Sequence, residues 1–114
     1  MPEARRTDDP LSPLLLQDTA ALFGLLSATV RLHILWLLAE GDLDVGTLAE
    51  KTGQSMATVS HHLAKLKLAG LVRADRQGKR QIYVATNPQV LAMIRLGLGG
   101  ALEAPQRLGQ ARHA

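Results

Sequence analysis

The sequence predicts a mainly α-helical (α+β) fold of about five helices and a two-stranded β-wing, with two of the helices joined as a helix-turn-helix. Three observations lead there. Two helical stretches, residues 45–52 and 56–69, are joined by a tight turn that contains Gly53. Directly after them, LVRADRQGKRQIYVAT places two runs of strand composition on either side of Gln77-Gly78-Lys79. Leucine-rich stretches with helical spacing flank this block on both sides.

Taken in order, residues 1–13 hold Pro2, Pro10 and Pro13 among mixed charges and read as a flexible N-terminal arm. A first helix from Leu14 to Leu26 follows from the spacing of Leu15, Leu22, Phe23 and Leu26. Ser27 is the expected cap of a second helix, ATVRLHILWLLAE, which stops at Gly41. That helix is apolar nearly all round, so it should be packed on most sides as the central strut. Asp44 caps the third helix and Gly53 ends it; Ser55 caps the fourth and Gly70 ends it. In the second strand Ile82 and Val84 point one way, Gln81 and Tyr83 the other. Asn87 and Pro88 open a last helix carrying the stripe Leu91, Ile94, Leu98 and Leu102. The domain is thus expected over 14–102, with a flexible tail over 103–114.

Composition excludes several functions. There is no cysteine, which removes disulfides, thiolate metal sites and thiol nucleophiles and fits a cytoplasmic chain. No signal peptide is visible at the N-terminus, and the longest apolar stretch, from Ala20 to Val30, is too short to span a bilayer. Phe23, Trp36 and Tyr83 are the whole aromatic complement, too few for stacking platforms on single strands. No nucleophile–base pair, phosphate loop or paired-carboxylate site suggests an enzyme.

The net charge of +3 says less than its distribution. Residues 55–85 hold Lys65, Lys67, Arg73, Arg76, Lys79 and Arg80 against Asp75, a block of +5 on a remainder of −2. A compact basic block on a near-neutral body suggests a polyanion partner. On a helical wheel of the fourth helix, Val59, His62, Leu63 and Leu66 share one arc, and Ala57, Thr58, His61, Ala64 and Lys65 lie opposite. The outward half is small, polar and free of acids, as a helix entering a major groove must be. Gln54, Ser55, Ala57, Thr58 and His61 are the candidates for base edges. Ser60, Lys65, Lys67 and the wing residues Arg76, Lys79 and Arg80 are the candidates for phosphate.

The runs ATVRLHILWLL, VGTLAEKTGQSMATVSHHLAKLKLAGLV and RADRQGKRQIYVA resemble the ArsR/SmtB family of bacterial winged helix-turn-helix transcriptional regulators. The resemblance covers roughly residues 20–100. Ser60-His61-His62-Leu63 with Leu66, Ala69, Gly70, Leu71 and Val72 is its most specific part, and the wing with Gly78 and Tyr83 the second. It implies a homodimer through the first and last helices, a palindromic operator in double-stranded DNA, and an effector that controls affinity. The dimer face would then hold Leu15, Leu22, Leu91, Ile94, Leu98 and Leu102. The departures are informative. Where metal-sensing relatives place a Cys-x-Cys pair at the start of the third helix, this chain has Asp44 and Gly46. Where others place Asp-x-His at the start of the last helix, it has Asn87 and Gln89; Gly100 stands at the second His, and only Glu103 falls near the expected acid.

Other readings compete. Adjacent helix positions face different ways, so His61 and His62 cannot share a ligand; His62 is expected to be packed and His61 outward. His33 with Asp42 and Asp44 is a thin candidate set for nickel or zinc, to which His113 could contribute. The effector could otherwise be a small apolar molecule at the dimer interface, or sensing could fall to a partner protein. A winged helix used as a protein-interaction module is the alternative class, although such modules usually lose the basic wing and the small outward face.

Overall fold

The computed structural model describes residues 10–103. The elements run α1 (Pro13–Leu26), α2 (Thr29–Glu40), β1 (Leu43–Asp44), α3 (Val45–Thr52), α4 (Met56–Leu68), β2 (Val72–Gln77), β3 (Arg80–Ala85) and α5 (Pro88–Glu103). Residues 1–9 of the expected arm and 104–114 of the expected tail, His113 included, lie outside the described residues.

The chain starts α1 one residue earlier than its leucine spacing indicates. The Ser12 side chain accepts from the Leu15 amide at 3.0 Å, and Pro13 occupies the first helical position, where no amide is needed. The expected cap of α2 is a correction. Ala28 stands at the N-cap of α2 with no side-chain bond, and the Ser27 hydroxyl turns back to donate to the Gly24 carbonyl at 2.6 Å. Ser27 therefore closes α1 instead of opening α2. The two helices meet at a bend of 88°, and among the described residues no single helix is long and apolar enough to cross a membrane.

α2 is the strut its composition predicts: α1, α3, α4, α5 and β3 all pack against it. Ile34 and Leu35 from α2, Leu48 from α3, and Val59, Leu63 and Leu66 from α4 are almost wholly buried. At roughly 1.5–3 kcal/mol per buried aliphatic side chain, this cluster is what holds the helix-turn-helix together.

α3 and α4 end in the same way. Gln54 N–H donates to the Ala49 carbonyl at 3.1 Å, and Leu71 N–H to the Leu66 carbonyl at 2.9 Å. Each closure needs a residue in the left-handed region just past the helix, which at the end of α4 is Gly70 with φ 77°. The reversal drops Leu71 and Val72 straight into the core, both about 3% exposed, and so launches β2.

The sheet has three antiparallel strands in the order β1-β3-β2, one more than the two-stranded wing read from the sequence. Leu43 pairs with Tyr83 and Asp44 with Ile82. Leu43, Val72, Tyr83 and Ala85 share the face that packs on the core. Ile82 lies on the other face, with Asp44 and Asp75 opposite it in register. Asn87 then caps α5, its side-chain oxygen accepting from the Val90 amide at 3.1 Å.

Candidate nucleic-acid interface

The N-terminus of α4 is built by two hydroxyls. Ser55 Oγ accepts from the Thr58 amide at 3.0 Å and donates to Thr58 Oγ1 at 3.0 Å. The Ser55 hydroxyl is thus committed within the protein, and the Thr58 hydroxyl keeps its hydrogen for an outside acceptor. Gln54, Ser55, Ala57, Ser60 and His61 are exposed, Thr58 is half-buried, and Val59, Leu63 and Leu66 face inward. The helix carries no acid. Lys65 and Lys67 stand exposed in its last turn, near the negative end of the helix dipole. Leu68, which the sequence reading did not single out, projects beside them with 92% of its surface exposed.

β2 and β3 form the hairpin, with Gln77 paired to Arg80 across a two-residue turn of Gly78 and Lys79. Gly78 takes φ 64° at the first turn position, the glycine-first hairpin pattern. Arg76 and Lys79 are exposed at the tip. The remaining bases of the wing are engaged. Arg73 pairs with Asp75 on its own strand at 2.9 Å. Arg80 donates to Asp44 Oδ2 from Nε at 3.0 Å and from Nη2 at 2.6 Å. Asp44 opposes Ile82, and Arg80 stands two residues before Ile82, so the two are diagonal neighbours on one face of the sheet. The other oxygen of Asp44 accepts from the Thr47 amide at 2.8 Å and caps α3. These bonds, Thr47 first and then Arg80, hold the Asp44 carboxyl well below the usual carboxylate range. Sequence reasoning missed this latch because it depends on β1, two residues long, pairing with a strand nearly forty positions away.

Four expected site cations, Lys65, Lys67, Arg76 and Lys79, thus have no ion-pair partner among the described residues, whereas Arg80 shares its charge with Asp44. His62 is half-buried, as its wheel position predicts, and bonds to Arg31 of α2. His61 points out beside it, the rings 5.5 Å apart and 67° from parallel.

The nickel or zinc set fails. No group of three or more His, Asp or Glu side chains is placed to hold an ion among the described residues. His33 stands in the body of α2, which continues to Glu40, roughly 10 Å further along at 1.5 Å per residue, before the loop that carries Asp42 and Asp44 begins. His33 instead lies with Leu32, Trp36 and Leu98 along an open apolar groove. Both oxygens of Asp44 are occupied by Thr47 and Arg80.

Within the single chain the expected dimer face is partly covered. Ile94 is 4% exposed within the single chain, and Leu22, Leu91 and Leu98 pack against the same core. Ile94 belongs to the protomer's interior, where α5 lies directly on α2, whereas Leu22 of α1 and Leu91 and Leu98 of α5 are only partly buried and keep part of their surface exposed. Of that set Leu15 remains exposed, and the side chain of Leu102 lies outside the described residues. On these two helices the apolar residues left uncovered are Leu14, Leu16 and Phe23 beside Leu15 on α1, and Met93 and Leu96 on α5.

A helix-turn-helix with an acid-free outward face, followed by a basic hairpin, defines the class of winged helix-turn-helix DNA-binding regulators. Within that class the chain belongs to the arsR family of bacterial regulatory proteins, whose family model matches residues 28–74. It is 36% identical over 86 residues to the HTH-type transcriptional regulator KmtR of Mycobacterium tuberculosis, covering 75% of this chain and 66% of KmtR. It is 35% identical over 91 residues to the nodulation protein NolR of Rhizobium meliloti, covering 77% of this chain and 75% of NolR. The solution structure of a homodimeric winged helix-turn-helix DNA-binding domain from Mycobacterium bovis superposes with a TM-score of 0.72 at 36% identity, covering 88% of this chain and 91% of that one. The chain spans just under two thirds of KmtR's length.

Proposed function

We propose that this chain binds a palindromic operator in double-stranded DNA as a homodimer and thereby regulates transcription under the control of an effector, without enzymatic activity. The observation that carries the reading is the surface formed by α4 and the wing. The exposed Gln54 and His61, with Thr58 half-buried beside them, offer polar groups to base edges, Thr58 with a hydroxyl hydrogen free to donate, and the small exposed Ser55 and Ala57 let the edges approach closely. Ser60, Lys65, Lys67, Arg76 and Lys79 grip phosphate around them. Arg80 joins that set only if it leaves Asp44. The proposed domain is residues 14–102, in the cytoplasm.

Exposed Leu14, Leu15 and Leu16 on α1 and Leu96 on α5 support a dimer, since they would face water in a lone chain. A two-fold dimer presents two copies of α4, about 34–36 Å apart if they enter successive turns of one groove. For the effector, the absence of cysteine removes thiophilic metals, and no ligand cluster is present among the described residues. A small apolar molecule or a sensory partner protein remains.

Light scattering combined with footprinting on duplex DNA from upstream of the chain's own gene tests the reading. The expected result is a dimer that protects two symmetric half-sites about one helical turn apart. A monomer that protects nothing, while co-purifying with a protein partner, favours the interaction module instead.

A further inference from the structure

The guanidinium of Arg31 reaches two other elements at once. Its Nε donates to the Leu25 carbonyl of α1 at 2.7 Å, and its Nη1 lies 3.1 Å from Nδ1 of His62 on α4. Leu25 is in the last turn of α1, where carbonyls have no partner inside the helix. Arginine has donors only, so Nδ1 of His62 must accept. The ring proton then sits on Nε2, and the bond exists only while the imidazole is neutral. Both side chains are partly buried. Arg31 is therefore a strut between α1, which carries an exposed apolar face, and the helix that presents the base-edge residues.

We propose that Arg31 is a positioning residue for DNA reading, fixing α4 against α1 through neutral His62, so that protonating His62 releases the recognition helix and weakens the grip on DNA. This rests on the DNA-binding reading above. An imidazolium at this site would turn Nδ1 into a second donor facing a donor. The charges acting on His62 are Arg31 from α2, with His61 and Lys65 from α4 itself, and none is a carboxylate. Neither Glu50 of α3 nor Asp75 of β2, the helix and strand that also pack on α4, is among them. Burial first, then these positive neighbours, pulls the His62 imidazole below its ordinary value. The neutral form, and with it the strut, is thus complete at neutral pH and is lost only as pH falls through the lowered value.

His61 stands exposed beside His62 on the same helix. Its contribution cancels when the wild type is compared with His62→Asn, whose side-chain oxygen stands near the place of Nδ1, accepts from Arg31 and does not titrate. The experiment measures the affinity of the full chain for labelled duplex from its own upstream region between pH 8 and pH 5. Wild type, His62→Asn and Arg31→Ala are compared, with dimer content followed by light scattering. Relative to His62→Asn, the wild type should lose affinity about tenfold on acidification, the factor that corresponds to one pKa unit of coupling, with the dimer intact. Arg31→Ala should bind more weakly at pH 8 and lose the excess pH dependence. Nitrogen-15 spectra of the wild type at pH 8 should show Nδ1 of His62 unprotonated and Nε2 protonated, which is decisive even if Arg31→Ala does not fold. A flat ratio, a ratio that rises on acidification, or a protonated Nδ1 overturns the proposal while leaving DNA binding intact. A wild type that binds no DNA at any pH overturns both.

Discussion

Asp44 divides its two carboxylate oxygens between tasks that single substitutions can separate. Oδ1 caps α3 through the Thr47 amide, and Oδ2 holds Arg80 of the wing. Asparagine keeps the capping oxygen and loses the charge, so Asp44→Asn should leave the melting temperature almost unchanged, an exposed ion pair contributing little. It frees Arg80 for phosphate, and the slope of log affinity against log salt should steepen by about 0.9 for each wing that contacts the duplex. Asp44→Ala removes the cap as well and should lower the melting temperature more than Asp44→Asn does. Because the carboxyl is held below its usual range, its contribution to stability is complete above about pH 4 and is lost as pH falls through the lowered value. The gap in melting temperature between the wild type and Asp44→Ala should narrow as pH falls from 6 to 2. At this scale the sequence was a partial guide: the role of Asp44 as a cap was readable from the residues that follow it, but its hold on Arg80 was not. His62 likewise shows its inward arc on the wheel, while its partner Arg31 lies 31 positions away and has no local signal.

Elements were more legible than contacts, because caps and glycines act within a few residues. Asp44, Ser55 and Asn87 all cap where expected, and Gly53 and Gly70 end α3 and α4 in the left-handed region. Ser55→Ala should cost about 1 kcal/mol of stability. Gly70→Ala forces a side chain into φ 77° with open space around it, so the cost is backbone strain alone, about 1–2 kcal/mol. Chemical denaturation measures both. Ser55→Ala should also weaken DNA binding beyond its effect on stability, since it releases the start of α4. The misjudged cap at Ser27 has a local cause: the hydroxyl can serve either helix, and the 88° bend brings the Gly24 carbonyl within its reach. β1 escaped notice because two residues carry no periodicity, and only its pairing with β3 makes it a strand.

The whole molecule exposes apolar side chains on α1 and α5, and also on α4, where Met56 and Leu68 share the helix with the free cations. Leu14, Leu15, Leu16 and Phe23 on α1 and Leu96 on α5 are uncovered, while Lys65, Lys67, Arg76 and Lys79 stand on α4 and the wing without ion-pair partners among the described residues. The leucine stripe of α5 was read from the sequence as a partner-facing surface. Periodicity shows that a stripe is buried and does not show against what, and here Ile94 is consumed by α2 of its own chain. Replacing Leu15 and Leu96 together by glutamate should leave the fold intact, convert the dimer to monomer in light scattering, and weaken operator binding at least tenfold, since each chain then grips alone. The central claim, that α4 and the wing grip duplex DNA through unpaired cations, is tested most directly by anisotropy titrations at several salt concentrations, comparing the wild type with Arg76→Ala/Lys79→Ala. The account predicts tight, salt-sensitive binding by the wild type, and a slope shallower by about 1.8 for each wing that contacts the duplex when two phosphate contacts are removed from it. An affinity and slope identical in the two proteins would contradict it.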